Sequence, residues 1–181
     1  MTIRRARLDD APALARVHAA SWRAAYRGLL PDAYLDDLSP RRLAVNWRRQ
    51  ILRARRAPQG ALEANWLAER DGRAVGFATT GPCRARHLRG FAGELFMLYV
   101  DPAAQGQGVG GALFAHAAEA LAELGFRWLV VGVLEANVRA RGFYAARGLQ
   151  PDGGRWVDRF AGGEAVPVVR YAGPLRPVWT P

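Results

Sequence analysis

The stretch from Glu94 to Gly111 reads ELFMLYVDPAAQGQGVGG and decides the fold. Its first part, Leu95 to Val100, is entirely apolar and ends at Asp101-Pro102. An apolar run that includes Phe, Tyr and Val predicts a central strand that is buried on both faces. Pro102 ends this strand, because proline has no N–H to donate and presses the preceding residue into an extended shape.

A helix with glycines in its first turn is predicted from about Gln107 to Leu124, where apolar residues recur at helical spacing. Each glycine costs about 1 kcal/mol relative to alanine in a helix, so a cluster indicates close approach of a ligand to the backbone. The first N–H groups of a helix lack partners and carry the positive end of its dipole. The first acid inside this helix is Glu119, so no acidic side chain fills that end. A phosphate-bearing ligand is the first hypothesis.

Three types of phosphate-binding loop compete for this stretch. A Walker A loop is excluded, because the chain contains no lysine. The dinucleotide fingerprint is satisfied literally by Gly106, Gly108 and Gly111, and Glu135 ends the next apolar strand at about the required distance. Against it, Asp101 to Gln105 separate the strand from the first glycine, and residues 136–181 are too few for the rest of a doubly wound sheet.

The third type rests on several motifs together. The segment Gln105-Gly106-Gln107-Gly108-Val109-Gly110 resembles the Gln/Arg-x-x-Gly-x-Gly/Ala loop of the GNAT superfamily of acyl-CoA-dependent N-acetyltransferases. The resemblance includes the Leu-Tyr-Val-Asp-Pro strand end and Asn137-x-x-Ala140-x-x-x-Tyr144-x-x-x-Gly148-Leu149 at the family's spacing. It also reaches the N-terminal Ile-Arg-Arg-Ala and Ser-Trp-Arg-Ala-Ala-Tyr-Arg-Gly-Leu-Leu-Pro, and so covers most of the chain. It implies an α/β fold of the mixed α+β kind, with a central, mostly antiparallel sheet, a parallel splayed strand pair and flanking helices.

The same resemblance implies transfer of an acetyl group from acetyl-CoA to a primary amine of a small molecule or peptide, by direct attack in a ternary complex and without a metal. Main-chain N–H groups near Leu98 to Val100 would donate hydrogen bonds to the thioester oxygen. The N–H groups of Gln107 to Gly111 would bind the diphosphate, and Asn137 would bind the pantetheine arm. Arg139 and Arg141 are candidate cations for the CoA phosphates. The cofactor-binding residues that we predict are Leu98, Tyr99, Val100, Gln105, Gly106, Gln107, Gly108, Val109, Gly110, Gly111, Asn137 and Arg141.

Two residues are candidates for proton transfer. Tyr144 matches the family position of the acid that protonates the departing thiolate, and its alternative interpretation is a buried aromatic with a satisfied hydroxyl. Glu94 starts the central strand, where family members often place a carboxylate that deprotonates the amine directly or through water. For Glu94 an exposed acid at a strand end is an equal alternative.

The acceptor site is expected under the N-terminal helices, which lie over it in the GNAT fold. Trp22, Tyr26, Leu29 and Leu30 are the candidate wall residues, with packing against the sheet as the alternative for Trp22. Gly81 to Gly90 is a polar, arginine-containing connection that could also cover a cleft. His18 shares a helix face with apolar residues and is interpreted as a packing residue.

The remaining segments predict a simple organisation. The dipeptide Asp71-Gly72 between two apolar-rich runs predicts a hairpin, and a helix between two apolar strands predicts a βαβ unit. Residues 57–60 are interpreted as a turn-rich linker. With 181 residues, one domain over 1–172 is expected, followed by an irregular tail or subunit arm over 173–181 that would suit a homodimer.

Composition limits the functional classes. All 26 basic residues are arginine, against 16 acids, and they are spread along the chain, so a nucleic-acid partner is not expected. Cys83 is alone and the three histidines are scattered, which predicts no metal site. Without an apolar run of membrane-spanning length or a signal peptide, a cytoplasmic protein is expected.

Two other functions stay open at this point. One is a non-catalytic acyl-CoA-binding sensor on the same fold. The other is an NAD-type oxidoreductase, which would bind nicotinamide dinucleotide rather than CoA.

Overall fold

The computed structural model describes residues 1–56, 63–160 and 165–175. Its strands are β1 Thr2–Arg5, β2 Ala64–Arg70, β3 Arg73–Pro82, β4 Ala92–Val100, β5 Trp128–Leu134, β6 Gln150–Arg159 and β7 Ala165–Pro174. Its helices are α1 Ala11–Tyr26, α2 Asp32–Asp36, α3 Pro40–Arg56, α4 Val109–Glu123 and α5 Val138–Ala145. No helix within these ranges is long and apolar enough to cross a lipid bilayer.

The strands form one sheet in the order β1-β2-β3-β4-β5-β7-β6. Every neighbouring pair is antiparallel except β4 and β5, which are joined through α4 and run parallel. This confirms the predicted mostly antiparallel sheet with one parallel pair. After β5 the chain passes through α5 to the edge strand β6 and returns as β7, so β7 lies between β5 and β6.

The predicted hairpin is present as β2 and β3. Asp71 and Gly72 both have positive φ, 51° and 72°, which is the backbone of the tight turn that matches the twist of paired strands. Leu67 pairs with Phe77 in its centre, and both side chains are fully buried.

Helices cover both faces of the sheet. Side chains along a strand alternate between faces, and β2 shows this directly: Trp66 packs with α4, whereas Leu67 packs with α1 and α3. The α4 face also carries Tyr144 from α5. Helices therefore pack on both faces of the sheet.

Three sequence-based expectations are corrected. The strand from Leu95 is not buried throughout, because Phe96 to Val100 are only half-buried where β5 no longer pairs with β4. The helix begins at Val109 rather than Gln107, because Gly108 has φ 80° and stands outside it as the cap. The C-terminal tail does not begin at Gly173, since β7 continues to Pro174. The linker at 57–60 and residues 176–181 of the tail lie outside the described residues.

Candidate active site

The sheet opens between β4 and β5. The two strands pair only from Ala92↔Trp128 to Glu94↔Val130 and then separate. A register shift in the pairing of β3 with β4 leaves Phe96 as an extra residue, a bulge of the kind that bends a strand. A cleft of about 650 Å³ lies in the gap. It is at the carboxyl ends of a parallel pair, where open α/β sheets bind ligands.

Two backbone N–H groups of β4 face this cleft, and no described strand pairs with them. Asp101 N–H donates to Val75 O on β3, and Val100 O accepts from the Ser21 hydroxyl on the other side. Because backbone groups alternate along a strand, the N–H groups of Leu98 and Val100 point away from β3 and into the gap. The N–H of Tyr99 points to β3 by the same alternation. Of the predicted stretch Leu98 to Val100, two residues can thus offer a main-chain donor to a ligand.

The glycine loop forms the second set of open donors. Gly106 and Gly108 have φ of 75° and 80°, a backbone that favours glycine, and no acid lies in the first turn of α4. Ala112 N–H makes the first helical bond, to Gly108 O, so the N–H groups before it have no helical acceptor. Gly110 and Gly111 line the cleft at this point.

The polar side chains of the loop divide between the cleft and the surface. Gln105 lines the cleft and donates through Nε2 to Val100 O at 3.3 Å, so it helps to fix the end of β4. Gln107 is bound instead by Arg70 and donates to Ala103 O, and its side chain does not line the cleft.

The arginines near α4 are arranged differently from the prediction. Arg139 lines the cleft, but the Arg141 guanidinium does not; it donates to Glu135 O and to the Tyr171 hydroxyl. Arg147, which the sequence did not single out, lines the cleft with its guanidinium 3.5 Å from the Phe143 ring centroid and beside Gly111. Burial lowers the pKa of Arg147, as expected for a cation held against apolar surface.

Asn137 and Tyr144 are brought together at the cleft as their spacing predicts. Asn137 caps α5, its Oδ1 accepting the Ala140 N–H at 3.0 Å. Tyr144 is buried, and burial raises the pKa of its phenol, so the hydroxyl holds its proton at neutral pH.

Of the four candidate wall residues, the structure places two at the cleft. Trp22 and Tyr26 line it, and the Tyr26 and Tyr99 hydroxyls lie 2.7 Å apart in a hydrogen bond that ties α1 to β4. Leu30 is buried with Leu35 in an apolar cluster behind Trp22 and Tyr26, and neither Leu29 nor Leu30 lines the cleft.

Glu94 is buried and does not line the cleft. Its Oε2 accepts the Arg84 N–H at 2.8 Å, and its Oε1 accepts from the Arg84 guanidinium. The alternative of an exposed acid is therefore wrong. Direct contact between this carboxylate and a bound amine is not supported either.

The family model described as "Acetyltransferase (GNAT) family" matches residues 20–149. The chain belongs to the GNAT family. The matched region begins within α1 and ends just before β6, so it contains the splayed strands, the glycine loop and Tyr144. GNAT proteins are acetyl-CoA-dependent N-acetyltransferases, which makes this chain an acyltransferase by family.

Two relatives support this. The chain is 35% identical over 137 residues to the uncharacterized N-acetyltransferase YuaI of Bacillus subtilis (strain 168), covering 76% of this chain and 73% of YuaI. It is 34% identical over 159 residues to an uncharacterized N-acetyltransferase of Archaeoglobus fulgidus, covering 85% of this chain and 97% of that protein.

Solved structures show the same fold. The PaiA N-acetyltransferase from Thermoplasma acidophilum, in complex with coenzyme A, matches with a TM-score of 0.71 and 19% identity, covering 93% of this chain and 96% of that one. YncA from Salmonella typhimurium, with its cofactor acetyl-CoA, matches with a TM-score of 0.68 and 21% identity over 100% and 97% of the two chains. The NAD-type alternative is therefore wrong, because its doubly wound parallel sheet is not this GNAT sheet.

Part of the GNAT cleft was not assigned residue by residue from the sequence, although Arg84 belongs to the Gly81 to Gly90 connection that was expected to cover a cleft. That part is lined by Arg84, Phe96, Trp156, Asp158 and Phe160. The last three alternate along β6 and its end, so period-2 spacing was a usable signal that they share a face. Within the described residues, no group of His, Cys, Asp and Glu side chains is placed to hold a metal ion.

Proposed function

We propose that this GNAT protein transfers the acetyl group of acetyl-CoA to a primary amine of a small molecule or peptide, by direct attack while both are bound. The observation that carries this proposal is that two sets of unpaired backbone N–H groups meet at one cleft. One set belongs to Leu98 and Val100 on β4, and the other to the first turn of α4.

The start of α4 suits the diphosphate of CoA. The N–H groups before Ala112 are open, the helix dipole favours an anion there, and the first turn holds no competing acid. A Cβ on Gly110 would lie 3.4 Å from the Phe143 ring, at the wall of the cleft. Because glycine has no side chain, a ligand can approach the backbone here. Arg147 lies beside Gly111 and supplies positive charge to this end, and Arg139 lines the same cleft.

The β4 edge suits the thioester. The N–H groups of Leu98 and Val100 can donate to the carbonyl oxygen, whose negative charge grows as the amine attacks. Donors that are fixed in a strand need no rearrangement at that moment, because the pairing of β4 with β3 holds them. Asn137, with its amide at the cleft, is the proposed partner of the pantetheine arm.

The proton balance assigns roles to two further residues. As the new C–N bond forms and the C–S bond breaks, nitrogen loses a proton and sulfur leaves as a thiolate that needs one. Tyr144 is the proposed acid, since its phenol is protonated at neutral pH and lines the cleft. Glu94 stays a candidate base only through water, because both of its oxygens are bound to Arg84.

Calorimetry with acetyl-CoA, CoA and NAD side by side, followed by thiol release with an amine panel, tests the proposal. We expect acetyl-CoA and CoA to bind, NAD not to bind, and thiol release to require both protein and amine. Acetyl-CoA binding without amine-dependent thiol release would favour the non-catalytic sensor. If neither acetyl-CoA nor free CoA binds, both the acetyltransferase and the non-catalytic sensor would be contradicted.

A further inference from the structure

Two oppositely charged side chains line the cleft that the proposed reaction has not yet used. Arg84 lies on the β3–β4 side and Asp158 on β6, and both line the cleft. Among the described residues no ion pair joins them; Arg84 pairs with Glu94. The pKa of Arg84 is raised mainly by its hydrogen bond to Glu94 and further by the charge of Asp158. The two groups therefore line one cleft without being bridged to each other.

Arg84 is held in place before any ligand arrives. Its Nε donates to Glu94 Oε1 at 3.0 Å, and its guanidinium carbon lies 4.6 Å from the Phe96 ring centroid. A guanidinium has five N–H donors in a rigid fork, and no hydrogen bond from Nη1 is formed within the described part of the chain. A preorganised fork with open donors loses little freedom when it binds a carboxylate.

Asp158 is also positioned. Its Oδ1 accepts from Trp156 Nε1 at 3.1 Å. The Trp156 indole packs over Gly132, where a Cβ would lie only 2.7 Å from the ring. The indole can occupy this position because residue 132 has no side chain. A carboxylate in this setting is a natural acceptor for an ammonium group.

The wall between and behind these charges is aromatic. The rings of Trp22 and Phe160 lie 5.8 Å apart, and Tyr34 packs against both. This surface can take an apolar side chain but offers no charge to a second cation. Arg84 would repel the distal ammonium groups of a polyamine, and a peptide N-terminus brings no carboxylate near its amine.

We propose that the acceptor is a free α-amino acid with an apolar or aromatic side chain, its ammonium held by Asp158, its carboxylate by Arg84, and its side chain by Trp22 and Phe160. The inference rests on the proposed acetyl transfer and names the substrate class of that site. Asp158 holds the ammonium until one proton leaves to water. As the C–N bond forms and the C–S bond breaks, the second N–H proton also passes to water, Tyr144 protonates the departing thiolate, and water returns a proton to Tyr144.

The test uses three matched acceptors: phenylalanine, phenylalaninamide and phenethylamine. They share one side chain and differ in the group on the carbon that carries the amine, which is a carboxylate, a neutral amide or a hydrogen. Leucine, spermidine and a peptide with a free N-terminus complete the panel, and kcat/KM is measured for each with acetyl-CoA. We expect phenylalanine to exceed phenylalaninamide and phenethylamine by about 10- to 100-fold, the range of one charge-assisted interaction.

Variants locate the effect. Arg84→Gln should remove the preference for the carboxylate, mainly through KM, so that the kcat/KM of phenylalanine falls to about that of phenethylamine measured with the same variant. Arg89→Gln in the same connection is the matched control, because Arg89 is exposed and does not line the cleft. If Arg84→Gln folds poorly with Glu94 left unpaired, the Arg84→Gln/Glu94→Gln pair removes both charges. Asp158→Asn should lower kcat/KM by a similar factor for every amine in the panel.

The outcomes separate this inference from the proposed function. Turnover of phenethylamine, spermidine or the peptide at or above that of both amino acids would overturn the amino-acid class and leave acetyl transfer intact. Acetyl-CoA binding without transfer to either amino acid would also overturn it. A parent protein that does not bind acetyl-CoA would instead contradict the proposed function.

Discussion

Glu94 accepts hydrogen bonds from Arg84 on both of its carboxylate oxygens, one from the main chain at 2.8 Å and others from the guanidinium. The glutamate side chain is 9% exposed and that of the arginine 69%, so the pair joins a buried anion to a cation at the cleft. A buried carboxylate is costly unless it is paired and hydrogen-bonded, and here it is both. Glu94 therefore orients Arg84, whatever part it takes in proton transfer.

Glu94→Gln separates these two roles. The amide keeps one oxygen for Arg84 but cannot take a proton. If Glu94 is the base through water, turnover should fall by about 10²-fold or more at pH 6, where most amine is protonated, and less at pH 9. Acetyl-CoA affinity should not change. A pH profile that superimposes on the parent profile, with only a raised KM for the amine, would limit Glu94 to holding Arg84.

Gly108→Val should weaken acetyl-CoA binding by about 10- to 100-fold, because a strained backbone at φ 80° misdirects the N–H groups of the α4 start. Gly90→Val is the matched control: Gly90 has φ 86°, also with open space around it, and does not line the cleft. Calorimetry and thermal unfolding of both variants distinguish loss of the site from general destabilisation. Equal acetyl-CoA affinity in the two would contradict the placement of the diphosphate.

Arg147→Gln should lower acetyl-CoA affinity by about tenfold and flatten its dependence on salt, since one charge contact to a phosphate would be lost. Arg141→Gln provides the comparison. Sequence reasoning assigned Arg141 to the cofactor, whereas the structure engages it with Glu135 O and Tyr171. A larger loss for Arg141→Gln than for Arg147→Gln would favour the sequence-based assignment.

The sequence predicted those parts of the site whose residues lie close together along the chain. The glycine loop and the Asn137 and Tyr144 pair each depend on spacing within a few turns of chain, and the structure brings them to one cleft. Loop side chains are harder, because a strand or helix period does not apply to them. The side chain of Gln107 is bonded to Arg70 and to Ala103 O, whereas the role predicted for its main-chain N–H stays a prediction.

The acceptor end could not be predicted locally. Arg84 and Asp158 line one cleft only because β7 inserts between β5 and β6, a pairing across many residues that no local pattern encodes. Leu30 illustrates the opposite error. An apolar residue near a site can form its wall or the core behind it, and Leu30 belongs to the core.

His18 should make the protein more sensitive to acid. The ring packs among Trp22, Trp47, Phe77 and Tyr99, and burial lowers its pKa from 6.5 to about 4. The unfolded chain then binds more protons than the folded one between these values. The stability that neutral His18 contributes is present above pH 6.5 and is lost as the pH falls toward 4.

His18→Phe removes this titration and keeps an aromatic ring among the same neighbours. Between pH 7.5 and 4.5 the parent should lose about 2–3 kcal/mol more unfolding free energy than the variant, at 1.36 kcal/mol per pKa unit. Urea unfolding at both pH values measures this, and other titrating groups cancel in the difference. Equal losses of unfolding free energy in the two proteins would show that the pKa of His18 is not lowered by burial.

Tyr144→Phe tests the acid. A positioned acid contributes about 10²–10⁴ in rate, so turnover should fall within that range while acetyl-CoA affinity stays unchanged. Phenylalanine fills the same buried space next to Phe114 and Phe143, so thermal stability should change little. Because burial raises the pKa of Tyr144, ionisation of this phenol should not appear in the parent's pH–rate profile between pH 6 and 9.

Tyr26→Phe is the matched control for Tyr144→Phe. Tyr26 also lines the cleft with a phenol whose pKa is raised by burial, but its hydroxyl is already paired with that of Tyr99. Losing this bond should raise the KM of the amine more than it lowers kcat, because α1 is then less firmly tied to β4. Single-turnover thiol release makes the comparison where chemistry limits the rate. If Tyr144→Phe kept near-parent turnover in that regime, the phenol would be a packing group and the proton would reach the sulfur from water.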